Sequence, residues 1–118
     1  MKLPTLQDLK PFQNKRDLLE KVVLQIQKDF EWFDLQIVFK STNHTPYKEL
    51  FQQIYPKVDF LLNENPNKFY NLLYRIDIED TLLKKHLKAH PHSDTAEVIT
   101  DLILKRELQK VVIREMLK

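Results

Sequence analysis

Apolar residues recur with a helical period over most of this chain, and the pattern divides it into four or five helices. The first apolar stripe follows Asn14, a residue suited to a helix N-cap, with Asp17 in the first turn. Its members share one face at 100° per residue. They are Leu18, Leu19, Val22, Val23, Ile26, Phe30 and Phe33. The stripe predicts a first helix that faces the core.

Two stretches lack this period. Residues 1–13 contain two prolines and place Leu3, Leu6, Leu9 and Phe12 three apart, which predicts an irregular N-terminal arm that packs on the body. In residues 34–44, Leu35, Ile37 and Phe39 alternate as they would in a strand. A lone strand has no partner in a helical chain, so we interpret 34–44 as an extended connector. A small hairpin or intermolecular pairing is the alternative.

A second helix is predicted over about 46–63, because Thr45-Pro46 combines an N-cap with proline at the first helical position. The apolar stripe keeps its phase through Pro56, which projects to the opposite side. We therefore predict one helix kinked at Pro56, in which the carbonyl of Gln52 loses its usual partner.

The C-terminal half repeats these signals. Asn65-Pro66 predicts the start of a third helix, and a shorter helix follows over about 79–88. After a loop at 89–93, Ser93 or Asp94 caps a final helix from about 95 to 117. The predicted fold is a single all-α domain over residues 1–118, an irregular bundle of four to five helices.

The final helix carries apolar residues on two sides. Val98, Ile99, Leu102 and Ile103 lie on the first side, and Leu104, Leu108, Val111 and Val112 lie nearly opposite. Such a helix is either central in its bundle or offers its second side to a partner. We expect the second case: a non-enzymatic module for protein interaction or self-association. Tyr70 and Tyr74, one turn apart on the third helix, would extend this contact at its edge.

The amino-acid composition excludes several classes of binding and catalytic site. The chain has no glycine, which excludes phosphate-binding loops and dinucleotide fingerprints, since their backbones need it. It has no cysteine, and therefore no disulfide, thiolate metal site or cysteine nucleophile. Hydrophobic residues make up 42% of the chain, enough for a folded core. We expect no cofactor.

Charge and hydropathy point to a soluble domain. The N-terminal residues lack the long apolar core of a signal peptide, and no apolar run approaches the length of a membrane span. We therefore expect a cytoplasmic protein with no membrane contact. The net charge of +2 is typical of a mixed, solvated surface. A nucleic-acid-associated protein using Lys105, Lys110 and Arg114 is the alternative function, although cations scatter around this helix.

Three histidines cluster in the sequence KKHLKAHPH. His86 and His90 are four residues apart, a spacing that suits a zinc pair on one helix, and His92 would be a third ligand. Pro91 biases His90 away from helical geometry, however. We interpret the cluster as a polar helix end, where histidine also suits the helix dipole. A metal site and a pH-responsive loop are the alternatives.

One ion pair is expected between the third and the final helix. Arg106 projects from the first apolar side of the final helix and needs a partner, and Asp77 lies between two isoleucines. The pair would either fix the helix register or form the charged floor of a pocket. No nucleophile, base and orienting group accompany it in the sequence, so no enzyme is predicted.

Two segments resemble known proteins. LLYRIDIED (72–80), followed by TDLILKRELQKVVIRE (100–115), is similar to a family of short, uncharacterised all-α bacterial proteins. The resemblance covers the C-terminal half of the chain. It implies a compact natural bacterial domain, and it implies no activity, ligand or site.

Overall fold

Five α-helices form an irregular bundle in the computed structural model, which describes residues 4–13, 15–38 and 46–118. The described residues contain no strand. The all-α prediction is therefore confirmed. The helices are α1 (Arg16–Glu31), α2 (Pro46–Glu64), α3 (Pro66–Ile76), α4 (Asp80–Ala89) and α5 (Thr95–Met116).

The ends of α1 differ from the prediction. Lys15 occupies the N-cap position, and the predicted cap, Asn14, lies outside the described residues. The helix ends at Glu31, so Phe33 lies in a turn and not on the helical stripe. Asp34 takes a left-handed φ of 59°, and the N–H of Leu35 bonds back to the Phe30 carbonyl at 3.0 Å. This reversal ends the helix while half-burying Phe33.

The described part of the connector, 34–38, follows α1 without a strand, and residues 39–44 lie outside the described residues. The side chain of Gln53 in α2 satisfies the backbone of Val38: its Oε1 accepts from the Val38 N–H at 2.9 Å, and its Nε2 donates to the Val38 carbonyl. A glutamine side chain thus takes the place of a partner strand. Beyond it, α2 continues through Pro56, as predicted.

The caps of the later helices follow the sequence signals. Asn65 Oδ1 accepts from the N–H of Lys68 at 3.2 Å at the start of α3. Asp94 accepts from the N–H of Glu97 at 3.2 Å at the start of α5. At the end of α3, Asp77 takes the left-handed position with φ 70° that glycine usually holds. An aspartate is tolerated there in a chain without glycine.

Helix α5 is the centre of the bundle, because it packs against α1, α2, α3, α4 and the first turn of the N-terminal arm. Both of its apolar sides are covered. Leu104, Leu108, Val111 and Val112 are each 0–1% exposed within this single chain. The expectation that these four residues contact a partner is therefore wrong. Helix α5 is apolar on two sides because its own neighbours surround it.

The N-terminal arm docks on the bundle through two short 3₁₀ turns, Leu6–Asp8 and Lys10–Phe12. Leu9, between them, is 1% exposed. Gln109 of α5 donates from Nε2 to the carbonyl of Pro4 at 3.2 Å. The described arm therefore packs on the body, as predicted. None of the helices in the described ranges has the length and apolar character needed to cross a bilayer.

Candidate anion-binding cleft and buried carboxylates

A cleft of about 570 Å³ lies between the N-terminal arm, α4 and α5. We call it the basic cleft. It contains three lysines, one from each element, and one histidine. Its lining residues are Thr5, Leu6, Lys10, Gln13, Leu82, Lys85, His86 and Lys105. None of these described lining residues is a carboxylate, so the charged side chains of this lining are lysines.

The lysines of the basic cleft differ in their neighbours. Lys105 Nζ lies 2.8 Å from Oδ2 of Asp101, and Asp101 Oδ1 also accepts from the Tyr47 hydroxyl at 2.8 Å. Lys10 and Lys85 are exposed and form no ion pair within the described parts of the chain. Two of the three ammonium groups are therefore uncompensated by protein charge.

Carboxylates flank the basic cleft on both sides. An adjoining cleft of about 540 Å³ shares Leu6, Leu82 and Lys85 with it but contains Asp77 and Glu79. On the other side, a cleft of about 260 Å³ shares His86 and contains Glu97 and Asp101. Positive potential is therefore confined to a short length of the groove. A compact anion fits this arrangement better than an extended polyanion.

The three histidines do not converge. His90 is the C-cap of α4 with φ −132° and ψ 61°, outside helical geometry, as Pro91 predicts. His90 and His92 are exposed, and Nδ1 of His86 lies 3.3 Å from the carbonyl of Leu82. No group of three or more potential ligands for a metal ion forms among the residues that the structure describes. The cluster lies at a helix end, and His86 alone enters the basic cleft.

Asp77 and Arg106 meet, but not in the core. Arg106 Nη2 lies 2.8 Å from Asp77 Oδ2, and Arg106 Nε donates to the Asp77 carbonyl at 3.1 Å. The side chain of Asp77 is 74% exposed, whereas that of Arg106 is 17% exposed. The left-handed backbone that ends α3 turns Asp77 outward, and the arginine reaches out to it. Both residues line the adjoining cleft, where they are already paired.

Tyr70 and Tyr74 project from α3 to solvent, at 54% and 86% exposed. The exposed face between and beside them consists of Asn67 and Asn71. No charged residue belongs to this strip of four side chains. Its role in binding a partner stays a prediction.

The cations proposed for nucleic acid do not form one surface. Lys110 turns inward to Asp29 and Glu107, and Lys105 is paired with Asp101. Only Arg114 of the three is exposed, and its Nη1 donates to Gln25 at 3.2 Å. A helix that contacts successive phosphates needs aligned, accessible cations. The geometry therefore gives no support to this alternative.

The sequence prediction missed a buried carboxylate pair, Asp29 of α1 and Glu107 of α5, which are 3% and 0% exposed. Lys110 Nζ lies 3.2 Å from Asp29 Oδ2 and 2.7 Å from Glu107 Oε1. Arg75 of α3 places Nε 3.3 Å from Asp29 Oδ1. Four ionisable side chains from three helices therefore meet inside the bundle.

Two further groups complete the surroundings of Asp29. Gln25 Nε2 lies 3.2 and 3.1 Å from the two Asp29 oxygens. The ring of Trp32 covers the guanidinium of Arg75, with Cζ 4.5 Å from the ring centroid. Trp32 is 71% exposed and is the single tryptophan of the chain. Its indole therefore marks the solvent edge of the charged cluster.

Helical periodicity contains a signal for this pair. Asp29 follows Ile26 by three residues, and Glu107 lies three residues after Leu104 and four before Val111. Both positions belong to apolar stripes, where a carboxyl must be paired or neutral. By contrast, the residues of the basic cleft come from three separate segments and carry no such common pattern.

The comparisons add no relationship to this geometry. Neither the family models, nor the curated proteins, nor the solved structures gave a match. The fold and clefts themselves define the class, an all-α bundle with a lysine-lined groove beside its central helix.

Proposed function

We propose that this domain binds a compact anion with two or more negative charges, such as a small phosphorylated or polycarboxylate molecule, in the basic cleft. The observation that carries the proposal is the concentration of Lys10, Lys85, Lys105 and His86 in one cleft whose described lining contains no carboxylate. Its volume of about 570 Å³ lies in the range of small-molecule sites.

The proposal is for binding without catalysis. The Thr5 hydroxyl, a lining group, donates to Asp8 Oδ2 at 2.9 Å, and the Thr5 backbone N–H donates to the same oxygen at 2.9 Å. The Nδ1 atom of His86 faces a backbone carbonyl at 3.3 Å and not a carboxylate. A nucleophile beside an oriented base is the arrangement that catalysis would need here. These contacts support a site that holds its ligand unchanged.

Charge reversal in the cleft tests this function. Inorganic pyrophosphate, titrated at low salt and followed by calorimetry and by amide NMR, should bind saturably and shift amides of the arm, α4 and α5. Lys85→Glu should weaken binding by about tenfold or more, since charges a few Å apart near a surface interact by about 1 to 4 kcal/mol. The matched control is Lys28→Glu, because Lys28 is an exposed lysine of α1. An equal effect of both variants on affinity, or amide shifts spread over the whole surface, would refute anion binding in the basic cleft.

The choice of anion is tested with the same protein. Citrate and inorganic phosphate distinguish a polycarboxylate site from a phosphate site, and a single-stranded oligonucleotide tests the nucleic-acid alternative. We expect one of the compact anions to compete with pyrophosphate. Tighter binding by the oligonucleotide, retained in Lys85→Glu, would overturn the proposal in favour of a different surface.

A second candidate function, self-association, rests on the exposure of Tyr70 and Tyr74. The occupant we propose for this face is a second copy of the chain. Asn67 and Asn71 on the same face carry no charge, and Lys84, which interacts electrostatically with Tyr70, is paired with Asp80 at 2.9 Å. Two copies can therefore meet there with little like-charge repulsion. Tyrosine supplies apolar area with a polar tip, which is typical of interface anchors.

Sedimentation of the purified protein tests self-association. We expect a concentration-dependent dimer that Tyr70→Ser combined with Tyr74→Ser weakens by more than about tenfold, in the range of interface anchors. Phe60→Ser is the matched control, because Phe60 is 62% exposed on α2. A monomer at all concentrations, or a dimer that the tyrosine changes leave intact, would exclude this face.

A further inference from the structure

The carboxyl of Glu107 is a buried acid whose compensation is incomplete. The residue is 0% exposed, and neither of its oxygens accepts a hydrogen bond, although Lys110 Nζ approaches one of them to 2.7 Å. An ionised carboxylate left in this state would carry a large desolvation penalty. A protonated carboxyl, by contrast, can donate to a neighbouring acceptor.

Asp29 is that acceptor. It is paired by Lys110 and Arg75 and bonded by Gln25, so its charge is supported from α5, α3 and α1. Asp29 Oδ2 and Glu107 Oε1 lie 3.2 and 2.7 Å from the same ammonium group, Lys110 Nζ, so the two carboxyls are close neighbours. A hydrogen bond between two carboxyl groups needs one proton. Two buried carboxyls side by side hold a proton because both cannot ionise freely.

We propose that Asp29 and Glu107 share one proton at neutral pH, and that losing this proton in alkaline solution loosens the contact of α5 with α1 and α3. The charged groups facing the pair are Arg75 from α3 and Lys110 from α5, with no further charge from α1 in contact with it in the described chain. This inference is independent of anion binding in the basic cleft.

The pKa directions agree with this arrangement. Burial, followed by the hydrogen bond to Asp29, raises the pKa of Glu107 to about 8, against the opposing effect of Lys110. Burial alone would raise the pKa of Asp29 as well. The hydrogen bonds from Glu107, Gln25 and Lys110, together with the charge of Lys110, outweigh burial and lower it.

The proton makes stability depend on pH with a definite sign. Glu107 has a pKa of 4.5 in the unfolded chain and about 8 in the folded one, so the folded state binds more protons between these values. Stability therefore falls as the pH rises through this window, and the folding equilibrium constant falls by about tenfold per pH unit. Asp29 changes stability with pH only in acid. Because its pKa is lowered from the ordinary value of 3.8, its ionised carboxylate stabilises the fold above pH 3.8. This stabilisation is lost as the pH falls through the pKa of Asp29 in the folded state.

Carboxyl carbon NMR of the wild-type chain measures the proton directly. We expect the Glu107 side-chain carbon to titrate near pH 8, well above the ordinary value of 4.5. Titration at or below the ordinary value of 4.5 would overturn the shared proton. This measurement needs no variant, so it stays decisive even if substitutions at the pair prevent folding.

Urea unfolding measures the change in stability that is linked to this proton. Between pH 5.5 and 7.5 the wild-type folding constant should fall by about a hundredfold relative to Glu107→Gln, whose amide cannot ionise. Glu97→Gln, an exposed glutamate of the same helix, should behave as the wild type. Both variants keep the four histidines, so these do not account for a difference.

The fluorescence of Trp32 gives a local readout, because this residue stacks on Arg75 at the edge of the cluster. We expect a transition near pH 8 that is lost in Glu107→Gln and kept in Glu97→Gln. If Glu107 titrates near 8 and the unfolding difference is present while the Trp32 transition is absent, the proton is shared but the loosening is refuted.

Discussion

Replacing Leu108 with glutamate is expected to unfold the domain. Leu108 is 1% exposed on the central helix, where it belongs to the apolar side that α5 buries against its neighbours. Truncation of a buried leucine costs about 2 to 5 kcal/mol, and an unpaired carboxylate in the same place costs several more. The total is comparable with the whole stability of a small domain, about 5 to 15 kcal/mol. Circular dichroism and urea unfolding measure the loss.

The matched control is Leu24→Glu. Leu24 is 65% exposed on α1, so the same substitution there should change stability by no more than about 0.5 kcal/mol. If Leu108→Glu instead gave a folded, more soluble protein, or converted a dimer to a folded monomer, the second side of α5 would be a surface. The central position of the helix would then be wrong.

The two-sided pattern of α5 shows where sequence reasoning ends. Periodicity correctly placed apolar residues on opposite sides of one helix. Whether the second side is covered depends on how α1 to α4 are arranged around it, which is a property of tertiary packing and not of one segment. A partner and a surrounding bundle produce the same local pattern.

The starts of α3 and α5 were predictable because their signals are local. Asn65 before Pro66 and Asp94 before α5 act through side-chain bonds within three residues. The end of α1 was not predictable in the same way. Phe33 has the phase of the buried stripe, yet the left-handed turn at Asp34 removes it from the helix and still half-buries it. Burial and helical position are separate properties at such a boundary.

The candidate sites show the same difference between local sequence signals and tertiary packing. Each lysine of the basic cleft is indistinguishable from a solvated surface lysine in the sequence, because only the fold brings Lys10, Lys85 and Lys105 together. The ion pair of Asp77 with Arg106 was predicted from a need for compensation. Its exposed position follows from a left-handed helix end that no side-chain pattern announced. The pairing of neighbouring charged side chains could be predicted from the sequence. The tertiary arrangement that brings distant residues together could not.

Removing the ammonium group of Lys110 is expected to destabilise the fold strongly. Lys110 Nζ bridges both carboxyls of the buried pair and also donates to the carbonyl of Ile76 at 3.3 Å. Lys110→Ala leaves Asp29, which is 3% exposed, with less compensation. Breaking a buried ion pair from one side costs about 3 to 5 kcal/mol. Lys105→Ala, whose pair with Asp101 is one-third exposed, should cost less than about 1 kcal/mol.

A double-mutant cycle separates the loss of Lys110 as a partner from the loss of its aliphatic packing. If Lys110 acts mainly by compensating the carboxyls, adding Asp29→Asn to Lys110→Ala should recover much of the lost stability. The two changes would then be coupled by about 0.5 to 3 kcal/mol, as expected for residues in one network. Strict additivity would mean that the lysine stem stabilises the helix contact by packing alone. In either case Lys110 is held inside the fold, so heparin retention lost in a Lys110→Glu variant would report unfolding and not a phosphate contact.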